Sequence, residues 1–400
     1  MGNDSAAPRR HVLPWLAMVM GTLYVAIGGV VAVLLPMQVE RIDPGGKVGA
    51  LAVIASVAFA VTLFAQPLIG AASDATRGRF RGRWPWMLAG ALIGGAAVAG
   101  MGWAGSLVAL AALWAVGQFA LNGVDITAST VVVDEFPRGG RGRPSGTLAA
   151  SVGVGTALGA VTAGILGASP PIAFAAVAAV ATVGALAFVL RRPSFAAPSS
   201  PISVPADRTS PRSDFGWAIA ARFGFTFGQQ SVSTYLLYIL SDHVGVSPQA
   251  APLFVSVLTA TGLVGLLIAA ALSGWWSDRT GRRRMLLVVG SVVFGVGMLL
   301  PIVAPVLPVM FVYAFLQGAG LGIHLAVGGA LISEVLPGGD RKPGRDLGLA
   351  NTVVNAAQAA APLAAGAVVL ATGGYVALFV LAIGATALSA AAAFQVRSIR

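Results

Sequence analysis

Three ionisable side chains interrupt long apolar runs of this chain: Asp125, Arg222 and His324. Holding such a group in hydrocarbon costs roughly 2.5 to 3.5 kcal/mol on insertion scales, so each marks a candidate functional position. Burial favours the neutral form of a carboxylate and a nearby cation favours the charged form, so Asp125 is the first candidate for taking up and releasing a coupling proton. His324 is the second. Arg222 would clamp an anionic group of a solute or pair with Asp125. Helical spacing extends these positions into polar faces. Gln118, Asn122 and Asp125 fall at i, i+4 and i+7, Arg222, Thr226, Gln229 and Ser233 form a second stripe, and Gln317 shares a face with His324. Asn351, Asn355 and Gln358 repeat the i, i+4, i+7 spacing. These residues supply donors and acceptors for binding a polar solute. The same amides serve equally well to tie helices together in a membrane.

The elements that must position them are membrane spans. Hydrophobic residues make up 57% of the 400 and charged residues 10%, with a mean hydropathy of +0.85, against about 25% charged residues in a soluble domain. The formal net charge of +11 does not indicate a nucleic-acid partner, because the bases sit in short gaps between apolar runs. There are no cysteines, which excludes disulfides, thiolate metal sites and cysteine nucleophiles. A phosphate-binding Gly-x-x-x-x-Gly-Lys-Ser/Thr loop, His-Glu-x-x-His and Gly-x-Ser-x-Gly are absent, so neither an enzyme, a metal nor a cofactor is expected. Only Lys47 and Lys342 are lysine among 25 basic residues, a bias of GC-rich genomes that points to a bacterial inner membrane. The run from about Val12 to Leu35 after Arg9 and Arg10 is too long for a signal-peptide core and reads as a retained span.

Segments able to cross about 30 Å of hydrocarbon fall near 12-36, 48-70, 86-103, 106-132, 145-168 and 170-190, then 214-240, 250-274, 285-303, 306-333, 347-371 and 374-396. The expected fold is therefore all-α and integral to the membrane, with twelve transmembrane helices in two pseudo-symmetric six-helix bundles. Residues 1-190 would form the first bundle and 214-400 the second, joined by a cytoplasmic linker at 191-213, where five prolines lie among serines. All bases but Arg41, Lys47 and Arg222 fall on one side of this arrangement. The positive-inside rule makes that side cytoplasmic and places both termini there in a multi-pass plasma-membrane protein. A monomer in the lipid bilayer is expected.

One charged pattern occurs twice, about 200 residues apart: Gly70-Ala-Ala-Ser-Asp74-Ala-Thr-Arg77-Gly-Arg79 and Gly274-Trp-Trp-Ser-Asp278-Arg279-Thr-Gly281-Arg282-Arg283. A second pair of loops keeps the same order and offset, Asp134-Glu135-Phe136-Pro137 against Glu334-Val335-Leu336-Pro337, which argues for duplication. At these residues the chain resembles the major facilitator superfamily, whose signature Gly-x-x-x-Asp-(Arg/Lys)-x-Gly-(Arg/Lys)-Arg is met throughout Gly274 to Arg283. Pro137-x-x-x-Arg141-Gly142-x-x-x-Gly146 resembles the superfamily's usual start of span 5. The first-half loop departs from the signature and, with Trp84-Pro85-Trp86, looks more like the glycoside-pentoside-hexuronide and sucrose-type symporters.

The resemblance implies a secondary active transporter that moves a small organic solute by alternating access, with a central cavity lined by spans 1, 4, 7 and 10, and Asp125 makes protons the expected coupling partner, by symport or antiport. The same resemblance implies that Gly70, Asp74, Arg77, Gly274, Asp278, Arg279, Gly281 and Arg282 form a cytoplasmic gate that stabilises the outward-facing state. The same offset sets Asp125 opposite Leu325, next to His324. Symporters of the sucrose type place paired aspartates on span 2 for sodium, whereas Val48 to Gly70 contains no acid and only Gln66 as a strong polar group. Gly146, Gly155, Gly159 and Gly164 partly match the glycine pattern of proton-coupled exporters, with Ala160 in place of its proline. The expected direction therefore leans to efflux. A glycoside-type uptake symporter and a non-transporting membrane sensor or scaffold on the same fold are the alternatives.

Overall fold

Hydrocarbon offers no partner to a backbone N–H or C=O, so a chain crossing it closes its hydrogen bonds within each segment. A computed structural model describes residues 12–80, 84–136, 142–191, 212–335 and 343–397, and among these helices account for all the regular structure. The basic N-terminus, most of the expected linker and the residues from Pro137 to Arg141 lie outside the described residues. The first helices are α1 (Val12–Ile42), α2 (Lys47–Phe80), α3 (Trp84–Met101), α4 (Leu107–Glu135), α5 (Gly142–Leu166) and α6 (Pro170–Arg191). They are followed by α7 (Arg212–Ser233), α8 (Ala251–Thr280), α9 (Arg283–Val303), α10 (Leu307–Glu334), α11 (Pro343–Thr372) and α12 (Val376–Gln395).

Eleven of these are long and apolar enough to span a bilayer, and α7 is not among them. The predicted seventh span, 214–240, differs for two reasons. Its helix carries Arg222, Thr226, Gln229, Gln230, Ser231 and Ser233, and it breaks at Thr234-Tyr235 before a short helical stretch Leu236–Tyr238 and a π turn Ile239–His243. Beside the break Thr234 Oγ1 donates to the Gln230 carbonyl at 2.8 Å while accepting from Gln230 Nε2 at 3.2 Å. Side-chain bonds of this kind compete with the helix ladder. In α1 a π turn at Val30–Leu34 precedes Pro36, with the Leu35 N–H bonded to the Val30 carbonyl. Proline lacks the N–H that would continue the ordinary register. The two charged repeats are also more helical than expected. Residues 71–80 continue α2, and α8 runs on to Thr280.

The chain forms two compact units, Met1–Gln38 with Val61–Pro201 and Val39–Ala60 with Ile202–Arg400. The corner between α1 and α2 thus groups with the second unit, whereas the sequence division put it in the first. Inside the first unit α1 packs on α5 and α6, and α3 on α4 and α6; inside the second α7 packs on α11 and α12, and α9 on α10 and α12. The four pairings correspond one to one under the duplication. A fifth, α8 along α10, belongs to the second unit. In the first unit an apolar cavity of about 370 Å³ lies between α2, α3 and α4, lined by Ile69, Trp86, Gly90, Phe119 and Gly123.

Glycine permits the closest of these approaches. A Cβ on Gly155 would run into the Gly21 carbonyl, one on Gly159 into the Val25 carbonyl, and one on Gly29 into the Gly159 carbonyl, so α1 and α5 meet backbone to backbone. Gly318 against the Gly262 carbonyl and Gly322 against the Leu266 carbonyl do the same for α10 and α8. With no hydrophobic drive between helices in lipid, such close van der Waals contact carries the association. Gly155→Val is expected to lower the melting temperature of the purified protein, at about 1 to 3 kcal/mol for overpacking. Gly384→Ala in α12, where a Cβ meets nothing within 4 Å, should leave it unchanged or raise it slightly. Equal shifts in both variants would refute the packing role.

Candidate functional site

Within the first unit, Asp125 lies midway along α4 and faces α1, where the Tyr24 hydroxyl donates to its Oδ2 at 3.5 Å. Ser129, one turn further along α4, is a second hydrogen-bond partner of the carboxylate. One turn before Asp125, Asn122 Nδ2 donates to the Gln118 carbonyl at 2.8 Å and to Thr62 Oγ1 of α2 at 3.1 Å, and both amides are buried. Asn122 therefore ties α4 to α2, while Asp125 keeps a neutral hydroxyl from another helix as its inter-helix neighbour. Sequence reasoning missed Tyr24. The available signal was its rarity, for it is the single tyrosine before Tyr235.

In the second unit a cavity of about 200 Å³ opens between α7, α10 and α11, lined by Arg222, Phe225, Thr226, Gln229, His324 and Gln358 among others. The His324 ring stacks on Phe225 with centroids 3.6 Å apart and planes 17° from parallel. Its Nε2 lies 3.0 Å from Ser291 Oγ, Ser291 Oγ donates to Ser389 Oγ at 3.3 Å, and Ser389 Oγ donates to the Ala221 carbonyl at 2.6 Å. The ring also hydrogen-bonds the Leu287 backbone, so His324 is held both by α9 and by a chain of two serines that ends on the Ala221 carbonyl. The chain joins α10, α9, α12 and α7. Arg222, next to Ala221, has neither a hydrogen bond nor an ion pair among the described residues.

Deeper along α7 the amides of Gln229 and Gln317 both donate to Ser233 Oγ, each at 3.0 Å. Gln317 thus joins the α7 stripe from α10. On α11, Gln358 reaches the cavity, Asn355 is buried and Asn351 is exposed. The structure brings Arg222, Thr226, Gln229, His324 and Gln358 around one space.

The expected gate residues are partly described. The side chains of Asp74 and Arg77 lie outside the described residues; Gly70 accepts from Ser73 Oγ at 3.0 Å. Gly281 ends α8 at φ +64°, its N–H bonded to the Ser277 carbonyl at 2.9 Å. That left-handed position is the reason the signature has glycine there. Gly274 is half-buried, Asp278, Arg279 and Arg282 are exposed, and the Arg279 guanidinium lies 4.1 Å from the Trp275 ring centre.

A charged cluster that sequence reasoning did not single out lies in the second unit, where the α1–α2 corner meets the end of the α7 segment. Lys47 Nζ sits 2.7 Å from Glu40 Oε1 and 2.9 Å from Asp242 Oδ1, over the Tyr238 ring at 4.8 Å. The Tyr375 hydroxyl donates to the other oxygen of Asp242 at 2.9 Å. Nearby, the Tyr235 hydroxyl donates to the Pro362 carbonyl at 2.9 Å. The usable signal was that Lys47 and Arg41 are two of three bases off the basic side, in a short segment that also holds Glu40 and Asp43.

A model of the family described as Major Facilitator Superfamily matches residues 16–272 and 218–398. No curated protein matches the chain significantly. Among solved structures, a bacterial homologue of the human lysosomal transporter Spinster, inward-facing and unoccupied, is similar at 14% identity and a TM-score of 0.69, over 98% of this chain and 95% of that one. A D-xylose-proton symporter is similar at 15% identity and a TM-score of 0.72, over 96% and 97% of the two chains. The human organic anion transporter MFSD10 (TETRAN) is similar at 19% identity and a TM-score of 0.67, over 98% and 100%. At these identities the likeness is one of fold.

Lys47→Met leaves Glu40 and Asp242 facing each other without their shared cation. Its melting temperature should fall, and a double-mutant cycle with Asp242→Asn should return a coupling of about 1 kcal/mol, the upper range for partly exposed pairs. A coupling indistinguishable from zero would make the cluster a surface pair without structural weight.

Proposed function

The chain belongs to the major facilitator superfamily, and from that premise we propose that it is a proton-coupled secondary active transporter of a small organic solute, with Asp125 as the coupling group. The observation that carries this reading is the Asp125–Tyr24 contact. Asp125 is the one carboxylate set in the middle of an apolar span, and its neighbour on α1 is a neutral donor rather than a cation. A carboxylate without a fixed counter-charge changes protonation when its surroundings change, whereas one locked to an arginine stays ionised. The name of one solved relative, a D-xylose-proton symporter, is in keeping with proton coupling on this fold.

In this reading the polar residues of the second-unit cavity, with Gln118, Asn122, Gln317, Asn351 and Asn355, contribute to solute handling. The repeated Gly-x-x-x-Asp segments act as the cytoplasmic gate, and a monomer works in a bacterial plasma membrane with both termini inside. The direction leans to efflux. Uptake of a glycoside is the second reading, supported by the first-half loop with Trp84-Pro85-Trp86.

A proton moving down a pH difference of about 1.7 units supplies about 2.3 kcal/mol, or roughly 50-fold accumulation. Proteoliposomes carrying Asp125→Asn should lose this pH-gradient-driven accumulation while retaining counterflow of a solute found by thermal-shift screening. Gradient-driven accumulation at the unmodified level in that variant would remove Asp125 from the coupling role.

A further inference from the structure

Among the described residues, the cavity of the second unit is lined by a cation and by no acid. Among these residues Arg222 is the sole formally charged side chain at neutral pH, with Thr226, Gln229, His324 and Gln358 as neutral polar partners and apolar residues for the remainder. Arg222 stands in α7 well inside the helix, and its guanidinium, mostly removed from solvent, has no carboxylate partner among the described residues. A desolvated cation without a counter-charge is a costly arrangement that binding of an anion relieves. The neighbouring polar groups leave Arg222 to such a ligand. His324 is engaged by Ser291 and by the Leu287 backbone, and Gln229 commits one amide proton to Ser233.

From this we infer that the solute carries a carboxylate, held by Arg222 in the cavity between α7, α10 and α11, and is a soluble organic monoanion. The inference rests on the transporter reading and names its substrate class. One cation balances one negative charge, so a monocarboxylate is matched and a phosphate dianion is left under-compensated. The planar guanidinium presents paired donors that fit both oxygens of a carboxylate, a geometry lysine lacks. The volume of about 200 Å³ is below the 300 to 1,000 Å³ of drug-sized pockets. It suits a carboxylate with a short carbon skeleton or a single ring, for which the stacked Phe225 and His324 rings supply an apolar wall.

A phospholipid headgroup with a single negative charge offers similar chemistry, so the experiment separates the two. The full chain in phosphatidylcholine nanodiscs is melted with lactate or benzoate, and with lactamide or benzamide as neutral isosteres. At least one acid should raise the melting temperature where its amide does not. Arg222→Gln should weaken that acid at least tenfold, with Arg222→Lys between. Should Arg222→Gln fail to fold, Arg222→Lys carries the comparison, weakening the acid and leaving the amide unaffected. Equal stabilisation by acid and amide, an unchanged response in the Arg222 variants, or no response to either acid overturns the inference. So does stabilisation confined to nanodiscs containing phosphatidylglycerol, which would make this a lipid site. Counterflow in proteoliposomes separates this failure from that of the parent reading. Exchange of neutral solutes unaffected by Arg222→Gln sinks the carboxylate alone, whereas absence of any solute exchange sinks the transporter reading itself.

Discussion

The absence of hydrogen-bond partners in hydrocarbon governs every polar side chain in this molecule. Most of them answer it locally. Thr127 donates to the Gly123 carbonyl, Thr156 to Val152, Ser256 to Pro252 and Thr386 to Ala382, all one turn back on their own helix. Such bonds say little about function, since any hydroxyl in a span makes them. The informative groups reach another helix or reach none. Asn122 to Thr62 and His324 through Ser291 and Ser389 to Ala221 belong to the first kind. Arg222 belongs to the second, and its position in a cavity gives that state a use.

Close packing supplies the other half of the architecture. The glycines of α1 and α5, and of α8 and α10, bring backbones into contact, and that close packing holds the helices of each unit together. The same contacts account for two of the four span-5 glycines that suggested an exporter, whereas a Cβ on Gly146 meets nothing within 4 Å. Gly155 and Gly159 sit where a side chain would strike α1, so packing alone requires them. The duplicated helix pairings show that two sequences with little residue identity meet one geometric demand.

The α1–α2 corner belongs to the second unit by its contacts, and Lys47 holds it there through Glu40 and Asp242. A lysine serving two carboxylates lies near the end of α7, at the other end of this unit from Gly281. Gly281 in turn explains one letter of the signature by backbone conformation alone. Asp278, Arg279 and Arg282 around it are exposed.

By itself the sequence determined the membrane class, the helical fold, the duplication and the family, because these follow from hydropathy, the spacing of charged gaps and one well-matched loop. It also marked Asp125, Arg222 and His324, since an ionisable residue in an apolar run stands out without coordinates. What each of them touches was decided by tertiary structure. The spans are apolar on nearly all sides, so periodicity does not reveal which face turns inward, and neither helix rotation nor register can be read from composition. Tyr24 beside Asp125, the serine chain that engages His324, the break in α7 and the Lys47 cluster all depend on that rotation and register. The sequence marks where polarity is costly, and only the packed helices decide which of those costs is relieved by a neighbour.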